Sequence, residues 1–193
     1  MSLSVDELAD EALMARIADG DRSAFAALVT RHLDRAVRTA QRLLGERSEA
    51  EDVAQDAFMR IWQHADRWRP EGGRFTTWFY RVVVNAAIDR LRKPKASALE
   101  DVPEPEDDRP SAFRTLHRAE VSRSVAAAVS ELPERQRTAL TLCHYEGLGN
   151  IEAAEVMGIT VGALESLLIR AKRVLRDRLQ PVMADLVEGG HDA

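Results

Sequence analysis

The sequence predicts an all-α protein of two small helical domains joined by a flexible acidic linker, with a helix-turn-helix in the second domain. Apolar residues recur at helical intervals on both sides of residues 93–115. That segment, KPKASALEDVPEPEDDRPSAFRT, has four of the seven prolines, six acids against four bases, and no helical period. The third observation is the helix-turn-helix spacing of IEAAEVMGITVGALESLL. The predicted domains are therefore residues 1–92 and 116–193.

Three helices are predicted in the first domain. Gly45 is expected to end the first helix, and Ser48-Glu49-Ala50-Glu51 to begin the second as a capping box. The turn sequence at residues 70–73 separates the second helix from a third, over residues 75–92. The apolar period of the first helix is set by Phe25, Leu28, Val29, Leu33, Val37, Ala40 and Leu44, and that of the second by Val53, Ala57, Phe58 and Ile61.

The second domain is predicted to contain four helices. The first covers residues 116–130, and Pro133 is expected to be the first residue of the next. Gly147-Leu148-Gly149 ends that second helix. Two further helices follow, joined through Met157-Gly158-Ile159-Thr160, and Pro181 is expected just beyond the last one.

These last two helices and the turn between them have the residue types that a helix-turn-helix requires. Ala154 is small enough for two helices to cross closely, and Gly158 tolerates the positive φ that the turn needs. Leu164 supplies an apolar anchor, and Thr160 can cap the second helix. Such a unit presents its second helix to the major groove of DNA.

A local basic patch follows on the same helix. Five bases stand against the single acid Asp177 in IRAKRVLRDRL. This pattern favours DNA binding, although an ordinary solvated helix beside a core would also produce it. The net charge of the whole chain is −5, which argues against tight DNA binding by the chain alone, because phosphate neutralisation supplies much of that affinity.

Aromatic and basic residues are concentrated in the first domain. Seven of the ten aromatic residues lie within the 23 positions from Phe58 to Tyr80, interspersed with arginines. Bases of an opened strand can stack on aromatic rings while arginines follow the backbone. Filling of a small core is the competing interpretation, and it is preferred for Phe58, Trp62 and Phe79. A core role is less expected for Trp68, which lies in the polar loop Asp66–Pro70.

The sequence indicates no catalytic or metal chemistry. Cys143 is the only cysteine, so no disulfide can form within the chain, as in a reducing cytoplasm. The five histidines show no metal-ligand spacing, and no nucleophile is paired with a base. The acidic N-terminus lacks the features of a signal peptide, and no apolar stretch approaches a membrane span. We therefore expect no enzyme activity, cofactor, metal or small-molecule substrate.

Together these segments resemble one family, the extracytoplasmic-function (ECF) sigma factors of the sigma-70 superfamily. GDRSAFAALVTRH resembles its region 2.1, EAEDVAQDAFMRIWQHADRW regions 2.2 to 2.3, and GRFTTWFYRVVVNAAIDRLRK regions 2.3 to 2.4. The segment from LPERQRTAL to AKRVLRDRL resembles region 4. The resemblance covers nearly the whole chain. It implies a subunit that directs core RNA polymerase to promoters by reading a −35 duplex and an opened −10 element.

The resemblance implies a role for three groups of residues. Docking on the clamp helices of the largest polymerase subunit is implied for Asp52, Gln55 and Asp56, and their spacing predicts an exposed face opposite Val53 and Ile61. Trp68 and Asn85 match positions that hold a flipped-out −10 base, while Trp78 and Arg81 match residues used either in strand opening or in supporting the fold. Contact with the −35 element is implied for Thr160, Gly162, Glu165, Ser166, Ile169, Arg170 and Arg173.

The recognition helix departs from the pattern common in the family. Leu164-Glu165-Ser166-Leu167 stands where Val-Lys-Ser-Arg is frequent, so −35 specificity cannot be transferred from a relative. An acid can still accept a hydrogen bond from cytosine N4. Gly149 replaces a common serine cap, with Asn150 as a possible substitute.

The implied partners are core RNA polymerase (clamp helices and flap), promoter DNA and an anti-sigma factor. The implied location is the cytoplasm, with the polymerase on the nucleoid or held at the inner membrane by the anti-sigma factor. A stand-alone helix-turn-helix regulator, which would usually bind its operator as a dimer, is the alternative. It would leave the aromatic loop, the Asp52 face and the acidic linker without a purpose.

Overall fold

The computed structural model describes residues 4–69, 74–93 and 112–188, and these ranges contain helices and no strand. The first domain comprises four α-helices and the second another four, which confirms the predicted all-α class. The helices are α1 (Asp10–Ala18), α2 (Arg22–Leu44), α3 (Arg47–His64), α4 (Phe75–Arg92), α5 (Ala112–Ser130), α6 (Glu134–Leu140), α7 (Asn150–Met157) and α8 (Val161–Glu188). No helix in the described ranges is long and apolar enough to cross a bilayer.

The core of the first domain is formed where α2, α3 and α4 pack together. Val53, Ala57, Phe58 and Ile61 are all buried on α3, as their spacing predicts. On α2 the buried residues differ in part from the predicted ones. Leu33 was predicted to face the core but is 40% exposed, while alanines such as Ala36 are fully buried. Small residues on this stripe allow the three helices to approach closely.

The helix α1 was not predicted, and polar contacts fasten it to α2. His32 Nε2 lies 2.9 Å from a carboxylate oxygen of Asp10, and Arg31 donates to the other oxygen at 2.6 Å. Burial alone would raise the pKa of Asp10, but the hydrogen bonds and charges of His32 and Arg31 hold it below its ordinary value.

The predicted end of α2 at Gly45 is confirmed, whereas the predicted start of α3 at Ser48 is not. Gly45 ends α2 in the left-handed conformation, with φ of 87°, as its lack of a β-carbon allows. The capping box expected at residues 48–51 is wrong. The helix α3 begins at Arg47 after the extended residue Glu46, and the Ser48 hydroxyl instead donates to the Glu46 carboxylate at 2.7 Å.

In the second domain the helix-turn-helix is confirmed and the end of the last helix is corrected. Gly158 has a φ of 62°, Ala154 and Leu164 are buried, and the Thr160 hydroxyl accepts from the amide of Ala163 at 3.2 Å. The predicted end before Pro181 is wrong, because α8 continues through that residue to Glu188. Proline removes one backbone hydrogen bond, and its exposed position lets solvent hydrate the freed carbonyl.

Two helices of the second domain begin at other residues than the sequence predicts. The helix α5 begins at Ala112, inside the segment predicted as linker, and Pro133 is the residue before α6 rather than its first residue. Residues 94–111, which include all six acids of the predicted linker, lie outside the described residues. The two domains contact each other mainly through α4 and α7, and through α2 with the start of the second domain.

Candidate nucleic-acid and polymerase interfaces

The predicted docking residues form an exposed face on α3. Asp52, Gln55 and Asp56 are all exposed, and the helix turns Val53 and Ile61 into the core on its opposite side. Their spacing of i, i+3 and i+4 makes them neighbours on the helix surface. Two carboxylates and an amide there can accept hydrogen bonds from a basic partner.

An ion pair fixes α4 beside this face. The Arg90 guanidinium donates to both oxygens of the Glu49 carboxylate on α3. The hydrogen bond and charge of Glu49 raise the pKa of Arg90, and the charges of Asp52 and Asp56 add to the effect. The helix α3, which bears the acidic face, is therefore fixed both by its buried apolar residues and by the ion pair with Arg90.

A second site is a pocket of about 180 Å³ between the end of α3 and the start of α4. It brings together three of the four residues assigned to −10 DNA, Trp68, Trp78 and Arg81. Further lining comes from Arg67, Arg69 and Arg74, which were not among the assigned residues. The pocket offers aromatic surface beside guanidinium groups, a combination that suits an unstacked base and its phosphates.

Trp68 is buried more deeply than its loop predicts. It is only 8% exposed and packs edge-on to Phe75, with ring centroids 6.4 Å apart. Trp68 therefore has a core role, which its polar loop made less expected. The loop folds inward, and Arg69 closes it by donating to the carbonyl oxygens of Asp66 and Trp68. Trp68 thus belongs to the core and also lines the pocket.

Asn85 lies outside this pocket. It is exposed on α4, and the spacing of Trp78, Arg81 and Asn85 places these three residues along one helix face. Asn85 follows Arg81 by four residues, about one helical turn further along α4. Most of the aromatic stretch fills the core: Phe58, Phe75, Phe79 and Tyr80 are at most 4% exposed.

The recognition helix α8 presents the third site. All seven residues assigned to the −35 element, from Thr160 to Arg173, are exposed. Leu164, Leu168 and Ala171 are buried on the other side, as the helical phase predicts. Ile169 is 68% exposed and offers an apolar contact, which suits a thymine methyl group.

The acid in the recognition helix has a polar neighbour. The Asn150 amide lies 3.4 Å from a carboxylate oxygen of Glu165. Asn150, the possible substitute cap, is instead the first residue of α7, after the N-cap Gly149. The Glu152 carboxylate instead accepts from the amide of Gly149 at 3.1 Å, which satisfies one donor at the start of α7.

Comparisons with known proteins identify the family of the chain. The model of Sigma-70 region 2 matches residues 28–97, and that of Sigma-70, region 4 matches residues 122–175. The RNA polymerase sigma-H factor of Pseudomonas aeruginosa is 32% identical over 91% of this chain and 96% of its own length. The ECF RNA polymerase sigma-E factor of Haemophilus influenzae is 31% identical over 92% of this chain and 99% of its own length.

The chain belongs to the ECF sigma factors of the sigma-70 family. The solved structure of CnrH in complex with the cytosolic domain of CnrY agrees, with 28% identity, a TM-score of 0.67, and coverage of 89% of this chain and 97% of CnrH. In this sigma factor the exposed face of Asp52, Gln55 and Asp56 lies inside the region 2 match, as do the lining residues of the aromatic pocket other than Glu155. The helix-turn-helix lies inside the region 4 match. The alternative of a stand-alone regulator is not favoured.

Proposed function

We propose that this ECF sigma factor divides promoter recognition between two surfaces, after docking on the polymerase clamp helices through Asp52, Gln55 and Asp56. Trp68, Trp78, Arg81 and Asn85 act on the opened −10 strand. The exposed residues of α8 read the −35 duplex. Initiation chemistry belongs to the polymerase, and the sigma factor itself is not an enzyme.

One observation supports this proposal most strongly, the contrast between the two DNA-facing surfaces. Trp68, Trp78 and Arg81 line a recessed pocket, which suits a single extruded base and excludes a duplex. The residues of α8 instead stand exposed along a convex helix, which suits the major groove. The overall acidity of the chain fits a subunit that binds DNA as part of a larger assembly.

We further propose an anti-sigma factor as a partner and the cytoplasm as the place of action. CnrH, which is 28% identical, was solved with the cytosolic domain of CnrY, so a comparable protein partner is a reasonable expectation for this chain. The single partly buried cysteine is compatible with a reducing compartment. Attachment to the inner membrane would come through that partner.

The docking role can be tested with Asp52→Ala/Gln55→Ala. Both side chains are exposed, so the helical circular dichroism should not change. The affinity for core polymerase should fall about 30-fold if each of the two contacts contributes about 1 kcal/mol. Glu11→Ala, which removes one exposed acid from α1, is the charge-matched control. An unchanged titration with core polymerase would show that the α3 face is merely solvated.

A further inference from the structure

The histidine of α2 is buried among aromatic rings behind the aromatic pocket. His32 is 6% exposed, and its ring centroid lies 5.4 Å from that of Phe75 and 5.1 Å from that of Phe79. Both phenylalanines are on α4 and are at most 1% exposed. An apolar side chain could fill such a place without a polar cost, whereas a buried imidazole needs hydrogen-bond partners. A histidine here therefore requires a polar neighbour.

That polar neighbour is Asp10, on α1. His32 Nε2 lies 2.9 Å from one carboxylate oxygen of Asp10, and Arg31 donates to the other oxygen at 2.6 Å, which favours the ionised carboxylate. An ionised carboxylate only accepts hydrogen bonds, so Nε2 carries the proton and donates it. This hydrogen bond fixes the rotation of the imidazole about its bond to the β-carbon, a torsion that is otherwise broad for histidine.

Phe75 connects this histidine to both tryptophans of the pocket. Its ring lies edge-on to Trp68, with centroids 6.4 Å apart, and tilted to Trp78 at 6.2 Å. Phe75 is not among the lining residues, so it forms the layer behind the two lining rings. Protein interiors are close-packed, and a shift of one ring therefore displaces the rings that it touches. A continuous series of contacts thus runs from Asp10 through His32 and Phe75 to the pocket.

The helix α1 also supports the loop of Trp68 directly. It packs against the short turn Ala65–Arg67, which immediately precedes Trp68. The contact is apolar on both sides: Ala65 is 3% exposed, and the buried residues of α1 are Leu13, Met14 and Ile17. The pocket loop is therefore supported twice by α1, once through this turn and once through His32 and Phe75.

We propose that Asp10 and His32 are positioning residues for promoter opening. Their hydrogen bond holds Phe75, and through it the two tryptophans of the pocket, in the arrangement that receives an unpaired base. This inference rests on the proposed role of the pocket in binding the opened −10 strand. A binding site works only when the residues behind it hold its walls within about 0.5 Å of the productive geometry. If Asp10 merely fastened α1 to the domain, it would contribute to stability alone.

Three variants of the full chain separate positioning from fastening. Asp10→Ala removes both contacts of the carboxylate. Asp10→Asn keeps an oxygen that can accept from His32 and removes the charge. Arg31→Ala is the matched control, because it leaves the His32 contact in place and removes the hydrogen bonds of Arg31 to Asp10 and to the Leu8 carbonyl oxygen, at 2.6 and 2.9 Å. Denaturant unfolding measures the stability of each variant.

The first measurement follows the position of Trp68 itself. Trp62→Phe/Trp78→Phe leaves Trp68 as the single tryptophan of the chain, and each substitution keeps an aromatic ring, so the circular dichroism should match that of the parent. Acrylamide quenching of the fluorescence then measures how accessible the Trp68 ring is. Because Trp68 is 8% exposed, quenching should be weak in this background.

Quenching should increase with Asp10→Ala and stay weak with Asp10→Asn and with Arg31→Ala. The reason is that only the first of these variants removes the acceptor that orients His32. Unchanged quenching in Asp10→Ala, or an equal increase in Arg31→Ala, would overturn the positioning role.

The second measurement is promoter opening by the holoenzyme at saturating core polymerase. Permanganate reactivity, normalised to upstream occupancy from footprinting, should fall about fivefold in Asp10→Ala, which is the smallest loss expected when the stacking ring itself is removed. Asp10→Asn should restore most of this loss. Trp62→Ala removes a whole aromatic side chain from α3 without touching the pocket, so it should lower stability and leave the normalised opening unchanged. Opening that follows stability across these variants would contradict the proposal.

A double substitution separates this inference from the proposed function. If Asp10 acts through Trp68, Asp10→Ala should cause no further loss of opening in a Trp68→Ala chain, because residues that act through one another are not additive; full additivity would refute the positioning role. If Trp68→Ala impairs opening and Asp10→Ala does not, the positioning inference alone fails. If quenching increases in Asp10→Ala while both variants open normally, the proposed role of the pocket fails instead.

Discussion

Replacing Trp68 by alanine should impair strand opening in the holoenzyme while leaving upstream duplex binding intact. Two effects contribute. Because the side chain is 8% exposed, its removal from the core should cost about 3–5 kcal/mol of folding free energy. Loss of a stacking surface for one base should cost a further ~1–3 kcal/mol in the opening equilibrium, which corresponds to about 5- to 150-fold, since 1.4 kcal/mol is tenfold.

A matched tryptophan separates the two effects. Trp62 packs on Phe25 with ring centroids 5.0 Å apart and does not line the pocket, so Trp62→Ala should reduce stability without a specific loss of opening. Permanganate reactivity of thymines in the −10 element measures opening, and footprinting measures upstream occupancy. A template with a pre-melted −10 bubble should restore much of the Trp68→Ala activity, because opening is then already complete.

The recognition helix should show the opposite pattern. Arg170 is exposed, so Arg170→Ala should leave stability unchanged and weaken upstream occupancy by about 1–3 kcal/mol if it makes one specific base contact. The bubble template should not restore that contact. If Trp68→Ala lost upstream occupancy while opening stayed normal, the assignment of the two domains would be refuted.

Three further outcomes are expected. The free chain should bind duplex promoter DNA weakly and become specific only with core polymerase; tight, salt-resistant binding by the chain alone would contradict this. Neutralising the linker acids, which we place in the basic RNA path of the polymerase, should change the ratio of abortive to full-length transcripts more than DNA binding, and an unchanged ratio would count against that placement. Those acids are Glu100, Asp101, Glu104, Glu106, Asp107 and Asp108. Because His32 and Arg31 depress the pKa of Asp10, its contribution to stability should be present above about pH 4 and lost as the pH falls below that value. Denaturant unfolding of Asp10→Asn should therefore show a flatter decline in acid than the parent chain, and parallel curves would argue against the ion pair.

The spacing of apolar residues predicts those helices whose buried face and ends can be read from the adjacent sequence. The sequence predicts the third helix over residues 75–92, which are the bounds of α4, because its apolar face and flanking turn are both visible in the sequence. The sequence likewise predicts the phase of α8, because Leu164, Leu168, Ala171 and Leu175 repeat at helical intervals. The first three are buried and Leu175 is half-buried. Helix ends were less predictable, because Glu46 and Ser48 can each begin a helix and only the folded backbone selects between them.

Contacts between distant residues could not be predicted in the same way. Trp68 lies in a polar loop, and nothing in the neighbouring sequence shows that the loop folds its ring against Phe75. Glu146 reaches Tyr80, 66 positions away, and no sequence period connects them. The acidic residues Glu152 and Glu155 do share one face of α7 by their i, i+3 spacing, but the place of Glu155 in the lining of the aromatic pocket follows from the packing of α4 against α7.

The most direct measurement of the central claim is transcription in vitro by core polymerase on genomic DNA of the source organism, with and without this sigma factor, followed by sequencing of transcript 5′ ends. Two-site recognition predicts a set of start sites that depend on the added chain and share both a −10 and a −35 element at a fixed spacing. Arg170→Ala should weaken selection of the −35 element alone. Start sites unchanged by the added chain, or sites sharing only one element, would contradict the account.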